Sequence, residues 1–189
     1  MALFNAFEEA IDLSFWKELC EKQGTLSHFK RGEYFVRSGE ILKDVGWIQK
    51  GGFKHSIIDV SGVEKTVGFV FEGSILANYL SVMKRSQMPT DIIALEDSHV
   101  FTVPASMIRG RLLEDPDLNV QLLENMFEQA YCHILNDYRF TPEQRYIKLI
   151  DRYPQLLELV TLSEIASYLN ISRRHLYRIR ESIVKPPTL

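Results

Sequence analysis

Between residues 24 and 103 apolar and polar positions alternate in short runs. Phe53, His55 and Ile57 stand against Lys54, Ser56 and Ile58. Val67, Phe69 and Phe71 repeat the period, as do Ile92 with Ala94 and the run Val100 to Val103. Glycine-containing turns separate these runs at Ser38-Gly39, Gly51-Gly52, Ser61-Gly62 and Glu72-Gly73, and nine of the ten glycines lie between Gly24 and Gly73. Two-residue periodicity broken by such turns predicts antiparallel strands, closed or rolled rather than laid out as an open sheet. The spacing changes on either side. Phe4, Phe7, Ile11, Phe15 and Leu19 recur every three to four residues, which predicts one or two helices packed on the β domain.

From Asp115 onward the pattern is helical. Asp115-Pro116-Asp117 supplies an N-cap acid, a proline at the first helical position and a second acid for the helix dipole. No breaker follows until about Arg139. Along this helix Leu123, Phe127, Ala130 and Ile134 form a stripe, flanked by Leu122, Met126, Tyr131, Leu135 and Tyr138. That surface is wider than one seam needs, so it is expected to face both the β domain and a second helix; a lone core helix is the alternative. Thr141-Pro142-Glu143-Gln144 opens another helix with a capping box, and Pro154 ends it.

A second capping box, Thr161 to Glu164, opens a helix carrying Ile165, Ala166 and Leu169. Asn170 falls where a tight turn is needed and tolerates the left-handed conformation. Ser172 then caps a helix whose Leu176 and Ile179 point back at the first. This is the spacing of a helix-turn-helix. The last helix presents Arg173, Arg174, His175, Tyr177, Arg178 and Arg180, and arginine can pair with the O6/N7 edge of guanine in a major groove or hold phosphate. A solvated basic face on an ordinary helical hairpin is the competing reading.

Composition sharpens the choice. The 189 residues carry a net charge of −3, which by itself counsels against nucleic acid. Residues 139–189, however, hold nine Lys/Arg and five Asp/Glu, whereas residues 1–138 hold thirteen and twenty. The basic excess sits in the segment with the helix-turn-helix, as attraction to phosphate requires. Cys20 and Cys132 are too few for a disulfide framework, a zinc cluster or an iron–sulfur cage, and they point to a reducing, cytoplasmic setting. No run is apolar enough to span a membrane, and three acids before Lys17 do not read as a signal peptide. The five histidines lack metal-ligand spacing, Ser172 near His175 is explained by capping, and Gly51-Gly52 lacks a phosphate-loop context. No catalytic or metal site is expected, and no enzyme.

Taken in order, VRSGE (36–40), VGWIQKGGFK (45–54), DVSGVEKTVGFVFEG (59–73), ALEDSHV (94–100) and the segment from Arg145 to Arg180 resemble the Crp/Fnr family of bacterial transcription regulators. The resemblance implies an α+β chain. Residues 1–114 would form a jelly-roll-like, cyclic-nucleotide-binding-domain-like β roll that senses an effector. Residues 115–138 would be a central dimerisation helix, and residues 139–189 a winged-helix-like helix-turn-helix bundle with little or no β wing. It further implies a homodimer joined through Leu123, Met126, Phe127, Ala130, His133 and Ile134, with recognition helices about 34 Å apart on double-stranded DNA. Ser172, Arg173, Arg174, His175, Tyr177 and Arg178 would face the DNA, and RNA polymerase and a small-molecule effector would be further partners.

Two departures from the family stand out. The Gly-Glu and Arg-Ser/Thr-Ala positions that hold ribose and cyclic phosphate fall here on Ala77-Asn78 and Met88-Pro89-Thr90. Methionine cannot neutralise a phosphate, so binding of cAMP is not expected and no cofactor is implied. An effector pocket, if kept, would involve Ala77, Asn78, Tyr79, Met88 and Thr90, with Lys84 and Arg85 nearby. In the recognition helix Arg174 replaces the family's glutamate and cannot accept from cytosine N4, which implies a different target sequence. The alternative function is a ligand- or protein-binding sensor or scaffold whose C-terminal domain no longer binds DNA.

Overall fold

The computed structural model describes residues 14–184. Helix α1 (Ser14–Gln23) buries Trp16, Leu19 and Cys20 against the β domain. Phe4, Phe7, Ile11 and the side chain of Phe15 lie outside the described residues.

Eight strands follow: β1 (Thr25–Phe29), β2 (Tyr34–Val36), β3 (Asp44–Lys50), β4 (Gly52–Ile58), β5 (Glu64–Phe71), β6 (Ile75–Leu76), β7 (Asp91–Ala94) and β8 (Ser98–Pro104). They make two four-stranded sheets, ordered β1-β8-β3-β6 and β2-β7-β4-β5, with antiparallel pairing throughout. This is a jelly roll. Its tight turns are closed by Gly39, Gly51, Gly62 and Gly73, all at positive φ, a region an L side chain rarely enters. Ile48, Phe53, Leu76, Met88, Ile92, Val100 and Val103 fill the space between the sheets.

Two short helices brace the roll: α2 (Tyr79–Lys84) and α3 (Ala105–Glu114). The long helix α4 (Pro116–Arg139) begins as its sequence dictates, with the Asp115 carboxylate accepting from the Leu118 amide at 3.0 Å. Leu118 and Leu122 rest on the roll's core. Then come α5 (Pro142–Arg152), α6 (Leu156–Leu159), α7 (Leu162–Tyr168) and α8 (Arg173–Val184). Both predicted capping boxes form reciprocally, at Thr141/Gln144 and Thr161/Glu164. Among the described residues no strand follows β8, so no β wing accompanies α8.

The two faces of β5 serve different cores. Val70 points into the roll, while Phe69 and Phe71 turn outward and join a second core. That core is built from Tyr146, Leu149, Leu156, Ile165, Ala166, Leu169, Leu176 and Ile179 of the C-terminal helices, with Leu95 of the roll. The period-two run on β5 therefore records a strand covered on both faces. The C-terminal helices pack directly on the sheet that contains β4 and β5 rather than extending away from it.

Candidate nucleic-acid interface and effector site

The helix-turn-helix is α7, a four-residue link and α8. The amide of Asn170 bonds to the Ser167 carbonyl and that of Ile171 to the Ala166 carbonyl, and Asn170 itself has φ 53°. Asparagine thus takes the left-handed place often held by glycine. Ala166, buried at the crossing, leaves room for α8, whose Leu176 and Ile179 lie against Ile165 and Leu169. The Ser172 hydroxyl accepts from the His175 amide at 3.2 Å and so starts α8.

The opposite face of α8 is open. Ser172, Arg173, Arg174, Tyr177 and Arg178 are exposed and His175 is half-buried. Arg173 donates from Nη2 to the Tyr177 hydroxyl at 3.1 Å, and its guanidinium lies over that ring. Among the described residues Arg174 and Arg178 form no side-chain hydrogen bond or ion pair. Three arginines on one solvent-facing surface without a carboxylate partner form an anion-seeking face.

Along α4 the four residues of the predicted stripe, Leu123, Phe127, Ala130 and Ile134, are exposed, whereas Met126 and His133 are half-buried on the helix flank. Val120, Tyr131 and Tyr138 extend the open arc on the other side, and Phe127 stacks nearly parallel to Tyr131 with centroids 6.1 Å apart. Phe127 is 73% exposed and Tyr138 87%. Sequence periodicity marked the helix as apolar, but which flank the roll covers is a tertiary matter. Burial lowers the His133 imidazole; the nearby Asp137 carboxylate opposes this and Arg145 adds to it.

The predicted effector residues divide among four settings. Met88 is packed into the roll at 2% exposure, and Ala77 and Tyr79 lie against the same core. Asn78 caps α2, its side-chain oxygen accepting from the Ser81 amide and hydroxyl, and Tyr79 donates its hydroxyl to Asn119 of α4 at 2.8 Å. Thr90 lies 3.2 Å from Nδ1 of His55. Lys84 and Arg85 point to solvent. A cavity of about 530 Å³ does open elsewhere on the roll, lined in part by Ser27, Phe29, Phe35, Glu40, Lys43 and Thr102 and by none of those seven residues. Among the described residues there is no group of three or more His, Cys, Asp or Glu fit to hold a metal ion, and no helix is long and apolar enough to cross a membrane.

Residues 26–115 match the sequence profile of the cyclic nucleotide-binding domain. No curated protein sequence matches the chain. Among solved structures, FixK2 of Bradyrhizobium japonicum superposes with TM-score 0.69 at 15% identity, over 85% of this chain and 84% of that one. A Crp/Fnr-family regulator from Eubacterium rectale gives 0.68 at 18% identity, over 94% and 89%. The c-di-GMP-responsive global regulator CLP of Xanthomonas campestris gives 0.63 at 11% identity, over 92% of each chain. By sequence, then, residues 26–115 resemble the cyclic nucleotide-binding domain, and the chain as a whole shares its fold with these solved regulators, one of them described as of the Crp/Fnr family.

Proposed function

We propose that the protein is a homodimeric, sequence-specific DNA-binding transcription regulator whose β roll does not bind cyclic nucleotides. The observation that carries the reading is the arginine face of α8, which has no carboxylate partner among the described residues, on the second helix of a capped helix-turn-helix. Inserted into a major groove, its first turn brings Arg173 and Arg174 to base edges or phosphate, and the helix N-terminus adds a favourable dipole for phosphate. The open apolar arc of α4 gives the protomer a surface to pair with a twofold mate. The apolar, buried Met88 and the solvent-directed Lys84 and Arg85 speak against a cyclic phosphate there.

The test is titration of duplexes selected by the protein from a randomised pool. Tight, salt-sensitive binding is expected, and Arg173→Ala with Arg178→Ala should each weaken it about 5- to 100-fold. Unchanged affinity and specificity in both variants would remove these side chains from the readout. No retention on any duplex at low salt would leave a sensor or scaffold in place of a DNA reader.

A further inference from the structure

The ammonium of Lys54, on β4, sits in the seam between the roll and the C-terminal helices. Its Nζ lies 2.6 Å from Oε1 of Glu64 on β5 and 2.8 Å from Oε1 of Glu164 on α7, and its side chain is 12% exposed. Burial alone would lower such a lysine, but the two carboxylates outweigh burial and hold it above its ordinary value. Glu164 is shared between two structures. Its Oε2 accepts from the Thr161 amide at 2.7 Å to cap α7, while Oε1 crosses to Lys54. Beside this pair, β5 bulges between its pairings with His55 and Ser56, and the Thr66 amide donates to the Ser167 hydroxyl of α7 at 2.9 Å. Two aromatic pairs flank the polar centre: Phe69 with Tyr168 at 5.1 Å and Phe71 with Tyr153 at 4.9 Å. Arg31 adds a bond from Nη2 to the Leu159 carbonyl at 3.1 Å.

These anchors lie on α7 and on the stretch from Tyr153 to Thr161 that leads into it. Helix α8 is carried with them because Leu176 and Ile179 pack in one core with Ile165 and Leu169 of the preceding helix and link. The other attachment of this unit is the α4–α5 junction, where Phe140 and Thr141 are extended and Asp137 pairs with Arg145 at 2.6 Å. Two extended residues can pivot; a unit also pinned through α7 cannot. We propose that Lys54 is a positioning residue that latches the helix-turn-helix to the β roll of its own protomer, and so sets the separation of the two recognition helices in the dimer. The inference rests on the DNA-binding reading above.

Substitutions separate the latch from the folding of α7. Glu164→Gln keeps a side chain able to cap, as Gln144 does for α5, and removes the cross-seam charge. Lys54→Met keeps the stem and leaves Glu64 facing Glu164 unneutralised. The full-length protein is titrated with its selected duplex and with versions whose half-sites are one base pair closer or farther. The unmodified protein should prefer its own spacing about tenfold, and both variants about threefold or less. The double variant should resemble Glu164→Gln alone, because it removes the repulsion that Lys54→Met creates. Amide exchange at Thr66 should rise in both single variants while thermal unfolding stays cooperative. Unchanged spacing preference in folded variants, or unchanged Thr66 exchange, would overturn the latch. If the unmodified protein binds no duplex, the DNA reading falls and the spacing role with it; Thr66 exchange then still decides whether the latch exists.

Discussion

His55 is buried within β4 with Nδ1 against the Thr90 hydroxyl, and burial pulls its imidazole down from 6.5 to about 4. In the unfolded chain the same group takes up a proton below about pH 6.5. Stability is therefore complete above that pH and declines as pH falls towards 4, by about 3 kcal/mol at the bottom of the window. Urea midpoints at pH 7.5 and pH 5 should differ in the unmodified protein and differ clearly less in His55→Gln, where the lowered His133 still contributes in the same window; an equal difference in both would discard the assignment. Asp59, held near 2 chiefly by the Ser61 hydroxyl, acts only at lower pH, as does Glu164, whose lowering by Lys54 and Thr161 outweighs its burial. At this scale the sequence was partly readable. His55 stood in register with Phe53 and Ile57, so its inward direction was visible. Lys54 stands in the opposite register, and nothing local marks its pairing, because its partner Glu164 is 110 residues away. Glu164 was recognisable as a cap, and only the fold shows the use of its second oxygen.

Helix starts are the elements most readily read from sequence, since each depends on bonds between residues three apart. Asp115, Thr141, Thr161 and Ser172 all cap where the spacing placed them. Helices α2, α3 and α6 were not foreseen. They are short, with too few apolar positions to show a period, and packing on the roll and the C-terminal core stabilises them. For α4 both the period and the centre of the exposed arc were legible, and only its edges, where Met126 and His133 are half-buried, were not. If that arc joins two protomers, Phe127→Glu places an uncompensated charge in the seam and should weaken dimerisation by about 3 kcal/mol or more. Sedimentation at micromolar concentration should then show a monomer with unaltered helix content. A variant that remains dimeric would move the interface off this face.

At the scale of the molecule, the mean charge hides an acidic N-terminal part and a basic C-terminal helical unit, and the split near Arg139 is visible in sequence. Structurally the break is less clean. Phe69, Phe71 and Leu95 belong to the roll by chain order and to the C-terminal core by contact. Removing their cover costs about 5 kcal/mol from burial alone, at roughly 1.5–3 kcal/mol per large apolar side chain. A domain of about fifty residues has a total stability of only about 3–8 kcal/mol. Residues 139–189 alone should thus fail to melt cooperatively by circular dichroism, while the full chain melts as one unit. A sharp transition in the fragment would show that the seam is dispensable.

Because that seam draws residues from both halves, the roll and the C-terminal helices are not free to diversify separately. A change at Tyr168 must still fit Phe69, and one at Glu164 must still answer Lys54. Chimeras that join these C-terminal helices to another roll at the α4–α5 junction would inherit mismatched surfaces unless the outward face of β5 travels with them.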